Sequence, residues 1–157
     1  MIRFADAEDT PVYSKASADE IGRIVRYIVA ASTHSVVALQ IGGRKRKAQL
    51  ADWEHVVGFG RDAVVIDDEE HLRNPASEYE QRVAAGDLDL RGRRVLTDRG
   101  FEIGVLVDAE VDESTGEVLL LETDRTSVSG AGLTAIGSYA IVVRHDAVHT
   151  NDEPPPS

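Results

Sequence analysis

One segment of this chain occurs twice. Glu20-Ile21-Gly22 returns 82 positions later as Glu102-Ile103-Gly104, and the offset holds without a gap along a whole hairpin. Val29-Ala30-Ala31-Ser32-Thr33 aligns with Val111-Asp112-Glu113-Ser114-Thr115, and Val36-Val37-Ala38-Leu39 with Val118-Leu119-Leu120-Leu121. The register then slips, where the first copy carries Gly42-Gly43-Arg44-Lys45-Arg46-Lys47, and resumes with Val57-Gly58 against Ile136-Gly137. A unit of roughly eighty residues buries only about 60% of the surface its unfolded chain exposes. Two such units packed together gain the core that one alone lacks.

The repeated segment reads as β-structure. Ile103, Val105, Val107, Ala109 and Val111 share one parity, while the other includes Asp108, Glu110 and Asp112. Period-two alternation puts one face of a strand into a core. Asp112-Glu113-Ser114-Thr115-Gly116 supplies turn residues, with Gly116 able to take positive φ, and Glu117 to Thr123 returns as the partner strand. In the first copy Ile21, Val25, Tyr27 and Val29 take the inward parity, and Ala30 to Ser35 makes the turn. Arg23 breaks that parity and belongs near a barrel end, where its stem reaches water. The return strands, Val36 to Leu39 and Val118 to Leu121, are apolar on both faces and so need two covers. The sister copy is the simplest second cover. Ile24, Ile28 and Leu106, apolar on the polar parity, point to the same seam, and a homodimer face is the competing explanation.

One helix is predicted between the copies. Asn74 caps it, Pro75 fits its first turn, Glu78 lies near the positive end of its dipole and Gly86 terminates it. Its charged residues Glu78, Glu80 and Arg82 place it on the surface across the joint. The chain thus divides into a first unit over 1–73, a helical linker over 74–86, a second unit over 87–149 and a disordered tail over 150–157. That tail, Asn151-Asp152-Glu153-Pro154-Pro155-Pro156-Ser157, has nothing with which to build a core.

Composition narrows the function. The 157 residues are 42% hydrophobic and 29% charged, the balance of a globular protein. With no cysteine there are no disulfides, thiolate metal sites or thiol nucleophiles, and the chain suits a reducing cytoplasm. No apolar run approaches a membrane span, and the N-terminus lacks a signal peptide's apolar stretch, so a cytoplasmic location without membrane insertion is expected. A formal charge of −11 repels nucleic acid and anionic lipid. The exception is Arg44-Lys45-Arg46-Lys47. It reads either as a finger for phosphate, RNA or an acidic partner, or as a solvated hairpin strand whose charges discourage edge pairing. Without interleaved aromatics the second reading is favoured.

At this point the pattern resembles a known family. Long strand, polar turn, apolar strand, basic or glycine-containing connection, then Leu50-Ala51-Asp52-Trp53-Glu54-His55-Val56-Val57-Gly58-Phe59-Gly60-Arg61-Asp62-Ala63-Val64-Val65-Ile66 is similar to the PRC-barrel domain. The second copy is closer, from Leu90-Arg91-Gly92-Arg93-Arg94-Val95-Leu96-Thr97 through Glu102 to Asp108 and on to Ile136-Gly137-Ser138-Tyr139-Ala140-Ile141-Val142-Val143. The resemblance implies an all-β fold of two small six-stranded PRC-type barrels in tandem, packed together and joined by a short helix. It also implies a protein-docking module that is not an enzyme.

The remaining candidates for chemistry are sparse. Of His34, His55, His71, His145 and His149, only His145 and His149 fall four apart, and they follow a strand, so no metal site is expected. Asp67-Asp68-Glu69-Glu70 lacks the ligand alternation of a calcium loop and reads as a solvated acidic turn. Gly58-Phe59-Gly60 and Gly130-Ala131-Gly132 lack the residues of a phosphate cradle and read as barrel corners. Ser127, Ser129 and Ser138 have no histidine at a recognisable spacing. Trp53, the single tryptophan, is a core residue or a partner anchor, and its neighbours Leu50, Val56 and Val57 favour the core. The sequence leads to a non-enzymatic adaptor without cofactor or metal. Its partner is a protein, met through Arg44, Lys45, Arg46, Lys47 and Trp53, with a small-ligand or RNA-binding module on the basic loop as the alternative.

Overall fold

In the computed structural model, which describes residues 1–43 and 46–149 and leaves aside the side chains of Arg46 and Lys47, the chain is mostly β-strand. The order begins with β1 (Ile2–Arg3), a single helical turn α1 (Phe4–Ala7), β2 (Pro11–Ser14), β3 (Glu20–Ala30), β4 (Ser35–Gly43) and β5 (Arg46–Asp52). A 3-10 turn (Trp53–His55) leads to β6 (Val56–Phe59) and β7 (Val64–Ile66), and a second (Glu69–His71) precedes helix α2 (Glu78–Ala84). Then come β8 (Arg94–Thr97), β9 (Glu102–Val111), β10 (Val118–Thr123), β11 (Ser127–Ser129), a 3-10 turn (Gly130–Gly132), β12 (Leu133–Ile136), β13 (Ile141–Val143), another 3-10 turn (His145–Ala147) and β14 (Val148–His149). Among the described residues no helix is long and apolar enough to cross a membrane.

The strands form two sheets. One has six strands in the order β5-β4-β3-β2-β7-β6, and the other runs β12-β13-β8-β9-β10-β11-β14 with β1 added on β9. The shared six-strand order, including the parallel pairs β2 with β7 and β8 with β13, extends the repeat into three dimensions. Its registers coincide as well. Val29 faces Val36 where Val111 faces Val118, and Val56 faces Ile66 where Leu133 faces Val143. Phe59 is therefore the counterpart of Ile136, and Gly60 donates to the Ala63 carbonyl as Gly137 does to that of Ala140. The register resumes two residues later than the sequence alignment placed it.

Closed barrels were expected, and the sheets are open. Among the described residues no ladder joins β5 to β6 or β11 to β12. Each of these pairs is consecutive in the chain and joined by a three-residue 3-10 turn, so neither strand reverses to pair with the other, and in the second sheet β14 takes the place beside β11. One core nevertheless runs through both sheets, from Val12, Leu39 and Ile66 to Val95, Val111, Leu121 and Ile141.

The strand parity also departs from simple alternation. Along β3 the partners step from Ile24 to Arg26 while β4 advances one residue, and along β9 they step from Leu106 to Asp108 in the same way. Each is a β-bulge, with Val25 and Val107 as the extra residues, and a bulge switches the side that faces inward. Ile24 and Leu106 are thus buried, while Val25, Val105 and Val107, expected inside, are exposed.

The second cover of β4 is also not the sister sheet. Ile28, Ala38 and Leu50 form a separate cluster with Val83, Leu88 and Tyr79, so helix α2 and the chain after it lie over the outer face of the first sheet. The helix is capped by Ser77, not Asn74, through a reciprocal capping box with Glu80, and Gly86 follows it at φ +88° as its expected terminator. Arg73 anchors the helix, bonding Asp52 of β5 at 2.8 Å and 3.0 Å and Glu80 at 2.5 Å and 2.9 Å. On the second sheet the corresponding place is taken by the chain start. Strand β1 pairs with the end of β9, and Arg3 reaches the carboxylates of Asp108, Glu110 and Glu122. Where β1 pairs with Val111, the matching Val29 carbonyl accepts the Tyr79 hydroxyl instead, at 2.6 Å.

The repeats meet at their hairpin turns. Val36 donates to the Gly116 carbonyl at 2.8 Å and Val118 to that of His34 at 2.7 Å, two bonds that exchange under the 82-residue offset and make a local pseudo-two-fold. Gly116 sits at φ +79°, and a Cβ there would lie 2.9 Å from Cε2 of Trp53. The glycine thus answers both a backbone requirement and a close approach by the tryptophan.

Candidate functional site

Across the pseudo-two-fold lies a cleft of about 690 Å³, within the range of ligand and peptide pockets. Both bulges open onto it. Val25 and Val107, equivalent positions of the two repeats, line it together with Val105, Tyr27, Phe4 and Leu90. Val25 is 40% exposed and Val107 44%, so each repeat contributes an apolar side chain that its own core does not take. The floor is rigid: the Phe4 and Tyr27 rings stack with centroids 4.0 Å apart and planes within 6°, and the Tyr27 hydroxyl donates to the Phe4 carbonyl at 3.0 Å. Burial pushes the Tyr27 phenol well above its ordinary range, so it remains a neutral donor.

The charged rim is satisfied from within. Arg91 pairs with Glu8 across the joint and donates from Nε to the Val107 carbonyl at 3.1 Å. Arg26 donates from Nε to Asp89 at 2.8 Å and from Nη1 to the Ala84 carbonyl at 3.4 Å. Each arginine of the cleft therefore faces a carboxylate and a carbonyl already. Such a rim offers a ligand little net charge, and the cleft's remaining capacity is apolar contact.

The residues singled out from sequence fall elsewhere. Arg44 and Lys45 lie outside the described residues, and Arg46 and Lys47 open β5, with Arg46 opposite Gly43. Trp53 stands in the 3-10 turn between β5 and β6, half-buried, edge-to-face with Phe59 at a centroid distance of 5.5 Å and against Gly116 of the other repeat. The tail Asn151 to Ser157 is likewise outside the described residues. The cleft was missed because its apolar residues are exposed by bulges, which simple alternation does not register.

A second grouping joins residues that the sequence considered separately. His55 Nδ1 lies 2.8 Å from one oxygen of Asp67, and His71 Nδ1 lies 2.9 Å from the other. The imidazole rings stack at 4.2 Å. The hydrogen bonds from His71 and His55 hold the Asp67 carboxyl down to about 2, and the same carboxylate raises the basicity of His71. By contrast His145 packs against Phe101 and Thr97, while the His149 carbonyl accepts the Thr126 hydroxyl. The 16-residue separation of His55 and His71 carries no recognisable motif. The pairing of β6 with β7 brings together the turns at the two ends of that hairpin.

No protein-family model matches the chain, and no curated protein matches its sequence.

Proposed function

We propose that this chain is a non-enzymatic, cytoplasmic adaptor of PRC-barrel type that holds an apolar segment of a partner protein in the cleft between its repeats. The observation that carries the reading is the pair of bulges. Two equivalent valines, Val25 and Val107, stand exposed over a rigid aromatic floor, beside arginines that are already paired. A small anionic ligand would need unpaired positive charge, whereas a peptide side chain needs the apolar surface the cleft offers. The PRC-barrel part of the reading rests on the sequence resemblance; each half has the six strands that the resemblance implies, in sheets that are open.

The test compares the wild-type chain with a Val25→Asp, Val107→Asp double variant. Both residues are exposed, so the variant should keep its fold, with a stability change of about 0.5 kcal/mol or less per site. A stoichiometric partner captured by crosslinking to the wild-type chain is expected to be lost with the variant. If the same protein is captured equally by both, or if only the chain itself is recovered, the cleft is not the docking site. Loss of capture on changing Arg44 to Lys47 to alanine, with steep salt dependence, would instead indicate the basic loop.

A further inference from the structure

We propose that His55, Asp67 and His71 form a binding site for one divalent transition-metal ion of the zinc class, distinct from the cleft and independent of its occupant. The three side chains offer two imidazole nitrogens and a carboxylate whose ligand atoms lie within 4.8 Å of one another. That is a nitrogen and oxygen set of borderline softness. It suits zinc or a neighbouring divalent ion with three protein ligands and open positions for water. Calcium and magnesium prefer all-oxygen shells and are disfavoured.

The local backbone organises these donors before any ion arrives. Asp67 directly follows β7, and its amide donates to the His55 carbonyl at 2.9 Å, tying the two turns together. His55 and His71 both direct Nδ1 at the carboxylate. Glu54 lies 3.6 Å from His55 Nε2, on the far side of the ring. When an ion takes the Nδ1 lone pair in place of that hydrogen bond, the ring proton moves to Nε2, on the side of Glu54. The cation then takes the place between ring nitrogens and carboxylate that hydrogen bonds hold in its absence.

The second repeat supplies an internal control. The same corner is built there, with 3-10 turns Gly130–Gly132 and His145–Ala147 in place of Trp53–His55 and Glu69–His71. The tie between the turns is repeated as Arg144 donating to the Gly132 carbonyl at 2.8 Å. His55, Asp67 and His71 correspond to Gly132, Arg144 and Ala147. The glycine and alanine close on each other so tightly that a Cβ on Gly132 would lie 2.3 Å from that of Ala147. The corner therefore folds without the three ligands. Their presence in one repeat alone is an addition to the fold, and a ligand set is the chemistry it provides.

Isothermal titration of the untagged full-length chain with Zn²⁺ tests the assignment. One ion per chain is expected to bind with saturation in the micromolar range or tighter. His55→Ala and His71→Ala should each weaken binding at least tenfold, and Asp67→Asn should do so as well, while His145→Ala and His149→Ala leave it unchanged. Circular dichroism of each variant establishes that the fold persists, as the second repeat implies. Absence of saturable binding to the wild-type chain overturns the assignment, as does undiminished affinity in the folded His55→Ala and His71→Ala variants.

Discussion

Replacing Glu80 by glutamine isolates the charge that fastens helix α2 to the first sheet. Glutamine at this position can still serve the capping box with Ser77, and its carbonyl can still accept from the Ala76 and Ser77 amides. What it removes is the charge opposed to Arg73. The arginine and the two amides hold the Glu80 carboxyl from an ordinary 4.5 down to about 2. At 1.36 kcal/mol per tenfold change in proton affinity, that displacement corresponds to a ceiling of ~3.4 kcal/mol. Glu80 is only 16% exposed, but Arg73 is 35% exposed, so water screens part of the pairing. A loss of about 1.5 to 2 kcal/mol at pH 7 is the expected result, between the values for exposed and buried pairs. Because the folded carboxyl is the stronger acid, this stability is present above about pH 4.5 and lost as pH falls through about 2. By pH 3 roughly three fifths of it is gone, and the gap between wild type and variant narrows to below ~1 kcal/mol. Urea denaturation at pH 7 and pH 3 measures both numbers. A gap under ~0.5 kcal/mol at pH 7 would refute the pairing, and a gap as large at pH 3 as at pH 7 would trace the effect to packing instead.

Two other substitutions examine how the halves are covered and joined. Ile28→Ala, beneath α2 at 1% exposure, should cost ~3 kcal/mol and speed amide exchange in the helix; a cost under ~1 kcal/mol would mean that α2 is not a true cover. Gly116→Ala adds a contact with Trp53 at 2.9 Å to the strain of φ +79°, and should cost about 2 kcal/mol with a shift in tryptophan emission. Gly92→Ala, at φ +86° with open space around it, should cost only about 1 kcal/mol and leave the emission unchanged, so equal effects at the two sites would exclude Trp53 as the cause.

Much of the β-framework was legible because duplication carries its own alignment. The hairpin registers of β3 with β4 and β9 with β10 follow the 82-residue offset pair by pair. Gly116 at the turn and Gly86 after the helix also take the positive φ that their positions called for. The inward parity was lost at Val25 and Val107, because a bulge depends on how two strands share hydrogen bonds and leaves no mark in either strand alone. Asn74 looked like a helix cap because it precedes Pro75, but the reciprocal bonds of Ser77 and Glu80 start the helix three residues later. His55 and His71 resisted reading for a related reason: their meeting depends on two turns being brought together around β7.

The sequence by itself determined that there are two similar β-units, where their strands run and where the chain turns, since these come from local alternation and from the repeat. Only the tertiary structure decided what covers each unit. The outer face of the first sheet carries Ile28 and Ala38 and is closed by α2, while its counterpart in the second carries Glu110 and Leu120 and receives β1 with Arg3. An apolar face states that it must be covered, but any apolar surface satisfies it, because the hydrophobic effect has no direction. Which element arrives is decided by chain reach and by the directional bonds at its edges, here Arg73 with Glu80 and Arg3 with Asp108.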